Sequence, residues 1–262
     1  MTVATASFAP RRRIGAPLVT FLVLGYALSW YPWVLHLMGR PGNGGPNPLG
    51  LLLAALIAGA VANGWRGSLE ILRSIVRVRA PLSVWWVVLF VPAITLALAI
   101  AIASFAGVTL VARPVPWSDL LDTFLIMFLF VGLGEEPAWR GFLLPLLERT
   151  MTPLRATLIV SVVWALWHIP LMGTQFAWPL VPAFLVSLVG AAFIQSWLYN
   201  ASNGSSLLPM AMHAVLNTAG SGYIFKLVAP ADLQTFWWIY APLWLAAGII
   251  TVIATRGRLG VR

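Results

Sequence analysis

The chain has 262 residues, of which 60% are hydrophobic and 9% charged, with a mean hydropathy of +0.90. Soluble globular chains carry about 25% charged and about 45–50% apolar residues, so a soluble fold is excluded, and the net charge of +9 reads as membrane orientation rather than nucleic-acid affinity. Cysteine is absent, which removes thiol nucleophiles, cysteine-bound metals and disulfides and leaves acid–base or metal chemistry to seven carboxylates and three histidines.

Crossing about 30 Å of hydrocarbon takes about 20 residues. Eight apolar runs approach that length: 17–38, 47–64, 84–107, 118–148, 154–172, 179–199, 206–224 and 234–255. The first follows Arg11, Arg12 and Arg13 but exceeds a signal-peptide core of about 7–15 residues. It ends in Trp30, Tyr31 and Trp33 rather than at a small-residue cleavage site, so it is predicted to stay as a first helix with His36 near the interface. The second run is short and follows a Pro/Gly/Asn-rich loop at 41–48. Residues 65–80 form a basic, partly amphipathic stretch, which predicts a cytoplasmic surface helix near anionic lipid.

The fourth run is long and interrupted. It reads Gly132-Leu-Gly-Glu-Glu-Pro-Ala-Trp-Arg-Gly-Phe-Leu-Leu-Pro145. Two glycines loosen the helix before the acids, and Pro137 suits the first turn of a renewed one. The expectation is a fourth span broken or kinked near residues 132–137. Asp119 and Asp122 sit at its outer start, which suits the helix dipole, and Glu148 lies at its inner end beside Arg149. Glu70 and Asp232 fall in connecting segments, so none of these five acids needs a special role.

With the N-terminus inside, inner segments hold Arg11, Arg12, Arg13, Arg66, Arg73, Arg77, Arg79, Arg149, Arg155, Arg256, Arg258 and Arg262, against Arg40, Arg113 and Lys226 outside. This bias supports eight spans with both termini cytoplasmic. The chain reads as one polytopic all-α membrane domain, 1–262, with a catalytic core at 118–222. One lysine against fifteen arginines points to a GC-rich bacterial genome, and hence to a multi-pass protein of a bacterial inner membrane.

Ionisable groups within a membrane are costly and are functional by default. Glu135, Glu136, Arg140, His168 and His213 are of this kind. Glu136 and Arg140 are four apart, share a helix face and can pair, which leaves Glu135 spare. Glu135, His168 and Asn217 lie roughly 16–20 Å along their helices from the inner ends. His213 shares a face with Asn217, and Trp164 with His168. A glutamate beside imidazoles can act as general base on water, and His213 and Asn217 can donate to an oxyanion. Such a set suits hydrolysis of an acyl bond without a covalent intermediate. Ser161, Ser187 and Ser196 lack a glycine elbow or a base nearby in sequence. Zinc is the competing account: Glu135, His168 and His213 would be its ligands, although no His-Glu-x-x-His pair exists.

The same residues carry a family resemblance. Glu135-Glu136-x-x-x-Arg140, Trp164-x-x-x-His168 and His213-x-x-x-Asn217 resemble, in order, the three motifs of the CAAX-protease and bacteriocin-processing (CPBP, or Abi) intramembrane protease family, which includes type II CAAX prenyl endopeptidases. The second motif usually has Phe where this chain has Trp164. The resemblance implies an eight-helix membrane hydrolase with a cavity open toward the cytoplasm, cleaving lipidated or membrane-bound peptides. It implies that Glu135 and His168 activate water, that His213 and Asn217 stabilise the oxyanion, and that Glu136 and Arg140 hold the geometry. Two other readings stay open: a non-enzymatic bacteriocin-immunity or scaffold protein on the same fold, and a transporter using Glu135 and His168 as a proton relay.

Overall fold

The structure is a computed structural model that describes residues 14–111 and 115–261. Arg11, Arg12, Arg13, Arg113 and Arg262, which enter the charge count above, lie outside the described residues. About 79% of the described residues are helical and there are no strands among them. Nine helices account for most of it: α1 (Gly15–Leu37), α2 (Pro48–Asn63), α3 (Trp65–Ile75), α4 (Leu82–Phe105), α5 (Trp117–Glu148), α6 (Pro153–Trp167), α7 (Val181–Ala201), α8 (Leu207–Ala219) and α9 (Leu233–Ala254). Each of the eight apolar runs coincides with one helix, and α3 is the additional basic helix expected from residues 65–80. Five segments are long and apolar enough to cross a membrane: α1, α4, α5, α7 with its preceding turn, and α9. The protein is a multi-pass membrane protein.

Local chemistry sets the ends of these helices. Asn47 Oδ1 accepts from Leu49 N at 3.2 Å and Pro48 takes the first helical position, so α2 starts there. Thr152 Oγ1 and Pro153 do the same for α6. Past its start, α5 runs on without a break near residues 132–137, and Pro137 lies inside a continuous helix. An internal proline and π turns are the usual causes of a helix kink. Two π-helical turns, Met127–Gly132 and Trp139–Leu143, flank the acids. Such turns absorb an irregular hydrogen-bond pattern without ending the helix and recur at functional sites.

The glycines of α5 serve packing rather than loosening. A Cβ on Gly134 would lie 2.5 Å from atoms of Pro48, so glycine alone admits the start of α2 to this face. Gly190 and Gly248 similarly let α7 and α9 cross backbone to backbone, where a Cβ on Gly190 would sit 2.2 Å from Trp244 O. Two apolar clusters result. One joins α1, α2, α3, α5, α6 and α7, with Phe21, Leu51, Trp139 and Leu143 at its centre. The other joins α4, α7, α8 and α9 around Val88, Met212, Phe236 and Trp244. Helix α7 belongs to both and is the most enclosed: 67% of its apolar window is buried, against a third or less in the other four long spans.

Candidate active site

Between the two clusters lies a cavity of about 600 Å³. Glu135 of α5, Trp164 of α6, His168 just past α6, and His213 and Asn217 of α8 all line it. The structure thus brings five of the seven singled-out residues to one surface. Glu136 and Arg140 stand directly behind that surface, both fully buried.

Glu135 is 2% exposed, and its Oε2 is held by two indoles. Trp164 Nε1 donates at 2.7 Å and Trp139 Nε1 at 3.3 Å. Trp139 lies one helical turn beyond Glu135, whereas Trp164 arrives from the neighbouring helix. Both donors act on one oxygen, so the carboxylate is fixed in direction while Oε1 keeps its lone pairs for another partner.

Glu136 has different neighbours. Arg140 Nη1 donates to Oε1 at 3.0 Å and to Oε2 at 2.9 Å, as the four-residue spacing requires. His213 Nδ1 approaches Glu136 Oε1 at 2.7 Å, across 77 positions of sequence. Arg140 Cζ also sits 4.5 Å above the Trp164 ring, where the guanidinium meets the negative face of the indole. Arg140 Nε and Nη2 have no hydrogen-bond partner, so its charge is carried by Glu136 and Trp164.

The imidazoles are oriented by their second nitrogens. His168 Nδ1 lies 2.8 Å from the carbonyl of Trp164, which only accepts, so this nitrogen carries a proton and Nε2 is left with a lone pair. His213 Nδ1 donates to Glu136 in the same way and leaves Nε2 for the cavity. The Trp164 ring stands 5.8 Å from each imidazole. Asn217 Nδ2 points at Met127 Sδ, a weak acceptor, at 3.7 Å.

Could the set hold a metal ion? Glu136 is engaged by Arg140 and His213, and Glu135 Oε2 by two indoles. Among the described residues, no three of His, Asp and Glu approach closely enough to share a cation.

Three of the remaining acids do structural work. Glu148 accepts from Asn200 Nδ2 at 2.9 Å, Asp232 accepts from Thr109 N at 2.9 Å, and Glu70 pairs with Arg77. Three features of the site escaped the sequence reading. The Glu136–His213 link and the Trp164 donor to Glu135 depend on helix packing and carry no local signal, whereas Trp139 stands four residues from Glu135 on one helix. Gln195 of α7 lines the cavity, is 1% exposed, and neither its amide oxygen nor its nitrogen has a hydrogen-bond partner. A carboxamide in the middle of the apolar run 179–199 was the signal that could have found it. His36 is not merely interfacial, because it also lines the cavity.

Residues 117–219 match the family model described as Rce1-like, type II CAAX prenyl endopeptidase Rce1-like. This is the family that the three motifs resemble, and it is a protease family. The match runs from the first residue of α5 to the last of α8 and contains all seven residues discussed. Helices α1 to α4 and α9 lie outside it. No curated protein matches the chain.

Proposed function

We propose that the protein is an intramembrane endopeptidase that hydrolyses a peptide bond of a membrane-associated substrate with water activated by Glu135 and His168. The observation that carries this reading is a buried carboxylate, pinned through one oxygen by two indoles, facing two imidazoles whose Nδ1 atoms are already committed. The family match supports a substrate of the CAAX-protease kind, a membrane-associated and prenylated peptide.

In the proposed reaction, Glu135 Oε1 takes a proton from water while His168 Nε2 accepts the water's other hydrogen and aims its lone pair. The water oxygen bonds to the scissile carbonyl carbon, and the carbonyl π pair moves to oxygen. His213 donates from Nε2 to that oxyanion. With Nδ1 also donating to Glu136, the ring carries both protons as imidazolium, and its charge meets that of the oxyanion. Asn217 Nδ2 turns from Met127 to supply a second donor. Glu135 then passes its proton to the amide nitrogen, the C–N bond breaks, and a carboxylic acid and an amine leave. Glu136 and Arg140 hold His213 in position, and no step uses a metal.

The test is cleavage of a membrane-anchored peptide library by purified protein in lipid vesicles. Glu135→Gln and His168→Ala are each expected to lower the rate by about 10²–10⁴-fold, the usual contribution of a positioned base. A chelator is expected to leave the wild-type rate unchanged, and its inhibition would place a metal in the site. Full cleavage by Glu135→Gln would remove it as the base. Retained partner binding or bacteriocin immunity in that variant, with no cleavage by wild type, would favour the scaffold reading.

A further inference from the structure

The two ends of the helix bundle differ in charge, and the cavity reaches only one of them. One end is built from segments 64–80, 148–155, 201–206 and 255–261. Ser206 N donates to Ser74 O at 2.9 Å, Asn200 joins Glu148, and the backbone of Gly260 packs on Ala201. This end holds Arg66, Arg73, Arg77, Arg79, Arg149, Arg155, Arg256 and Arg258 against Glu70 and Glu148. The opposite end comprises segments 38–47, 106–111, 168–177 and 228–232. Val111 N donates to Leu227 O at 2.7 Å there, and Thr109 N to Asp232. With the helix ends that adjoin them, these segments carry Arg40 and Lys226 against Asp119, Asp122 and Asp232 among the described residues.

Segments of the second end rim the cavity: Asn43, Gly44 and Gly45 from one loop, Thr174, Gln175 and Phe176 from another. A Cβ on Gly45 would touch the Leu171 side chain at 3.4 Å, so the two loops adjoin. No lining residue comes from a connecting segment of the arginine end. Below the reactive groups, toward that end, Leu143, Leu144, Leu146 and Leu147 are all buried at 2% exposure or less and fill the bundle.

Arginine and lysine mark the cytoplasmic side of a polytopic protein. We infer that the cavity of this protein opens on the extracytoplasmic face and receives the extracytoplasmic segment of a membrane-anchored peptide. This is the reverse of the cytoplasmic mouth that the family resemblance implies. The wall above the reactive groups is aromatic, with Phe176, Phe184, Phe225, Trp237 and Tyr240, so the residues beside the scissile bond are apolar. The substrate class rests on the proposed hydrolysis, whereas the direction of the mouth does not.

The absence of cysteine gives a labelling experiment with no background. Gln175→Cys and Asn43→Cys each place one thiol at an exposed position of the mouth, and Val78→Cys places one at an exposed position of the arginine end. Each variant is treated with a membrane-impermeant maleimide in sealed right-side-out and inverted vesicles. Gln175→Cys and Asn43→Cys are expected to react at least about 10-fold faster in right-side-out vesicles, and Val78→Cys in inverted ones. The reverse pattern overturns the inference, whatever the protein's activity. In a second arm, membrane peptides are compared between cells carrying wild type and Glu135→Ala. New termini confined to extracytoplasmic segments support the substrate class, and termini in cytoplasmic segments overturn it. No altered peptide counts against the hydrolysis and the substrate class together, while the labelling still decides the mouth.

Discussion

At the scale of single residues, Trp164 does more than form an aromatic wall. The Phe usual at this place in the family motif would leave Glu135 Oε2 with Trp139 alone, at 3.3 Å. The Trp164 donor at 2.7 Å is the shorter bond and comes from a different helix, so it governs where the carboxylate points. A hydrogen bond to a charged group contributes about 1.5–3 kcal/mol, and each 1.36 kcal/mol of lost transition-state stabilisation is about tenfold in rate. Trp164→Phe is therefore expected to lower kcat by about tenfold or more with KM little changed, and Trp139→Phe by less. An unchanged kcat in Trp164→Phe would show that the indole does not position the base. Glu136 is a separate case, because it neutralises a fully buried guanidinium. Removing one partner of a buried pair costs about 3–5 kcal/mol, so Glu136→Gln is expected to lower the unfolding midpoint in detergent sharply. Adding Arg140→Met should recover part of that loss, since no uncompensated charge then remains. If the double variant is no more stable than the single one, the pair is not the source of the penalty.

At the scale of elements, α5 shows how a helix accommodates breaking residues. Two glycines and a proline beside paired acids predict a break or a kink, and the helix is continuous through them. Pro137 lacks one donor and disturbs the ladder. The neighbouring π turns take up that disturbance. Gly132 and Gly134 are then read by what approaches them. A methyl group on Gly134 would lie 2.5 Å from Pro48 atoms, so Gly134→Ala must push α2 away from α5. Overpacking of this kind costs about 1–3 kcal/mol. The expected result is a lower thermal midpoint with cleavage reduced in proportion to folded protein. A midpoint equal to wild type would mean that the α2–α5 contact is looser than the structure shows.

At the scale of the whole molecule, the helices are unequal in length. Helix α2 has 16 residues and α6 has 15, or about 22–24 Å at 1.5 Å per residue. The hydrocarbon core is about 30 Å thick, and a short hydrophobic segment is matched by local thinning at a cost of fractions of a kcal/mol per Å. Reconstituted protein is thus expected to be more stable in vesicles of short-chain lipid than of long-chain lipid, read as residual activity after heating. Equal stability across chain lengths would show that α2 and α6 are shielded from lipid by their neighbours.

How much of this was legible without coordinates follows from the kind of contact involved. Scarce charge and long apolar runs establish a helical membrane protein, because lipid tolerates only backbone groups satisfied within each segment. The Glu136–Arg140 pair was equally readable, since residues four apart on a helix must face the same way. Motif order also pointed to Glu135, His168, His213 and Asn217, which the structure gathers around one cavity. Other features depend on the register and crossing of separate helices. Trp164 reaches Glu135 across 29 positions and His213 reaches Glu136 across 77. No local pattern encodes such distances, because they arise only when α6 and α8 pack against α5. The same packing fills the bundle toward its arginine end and leaves the cavity lined by segments of the other, so the tertiary fold decides which end of the bundle the cavity meets.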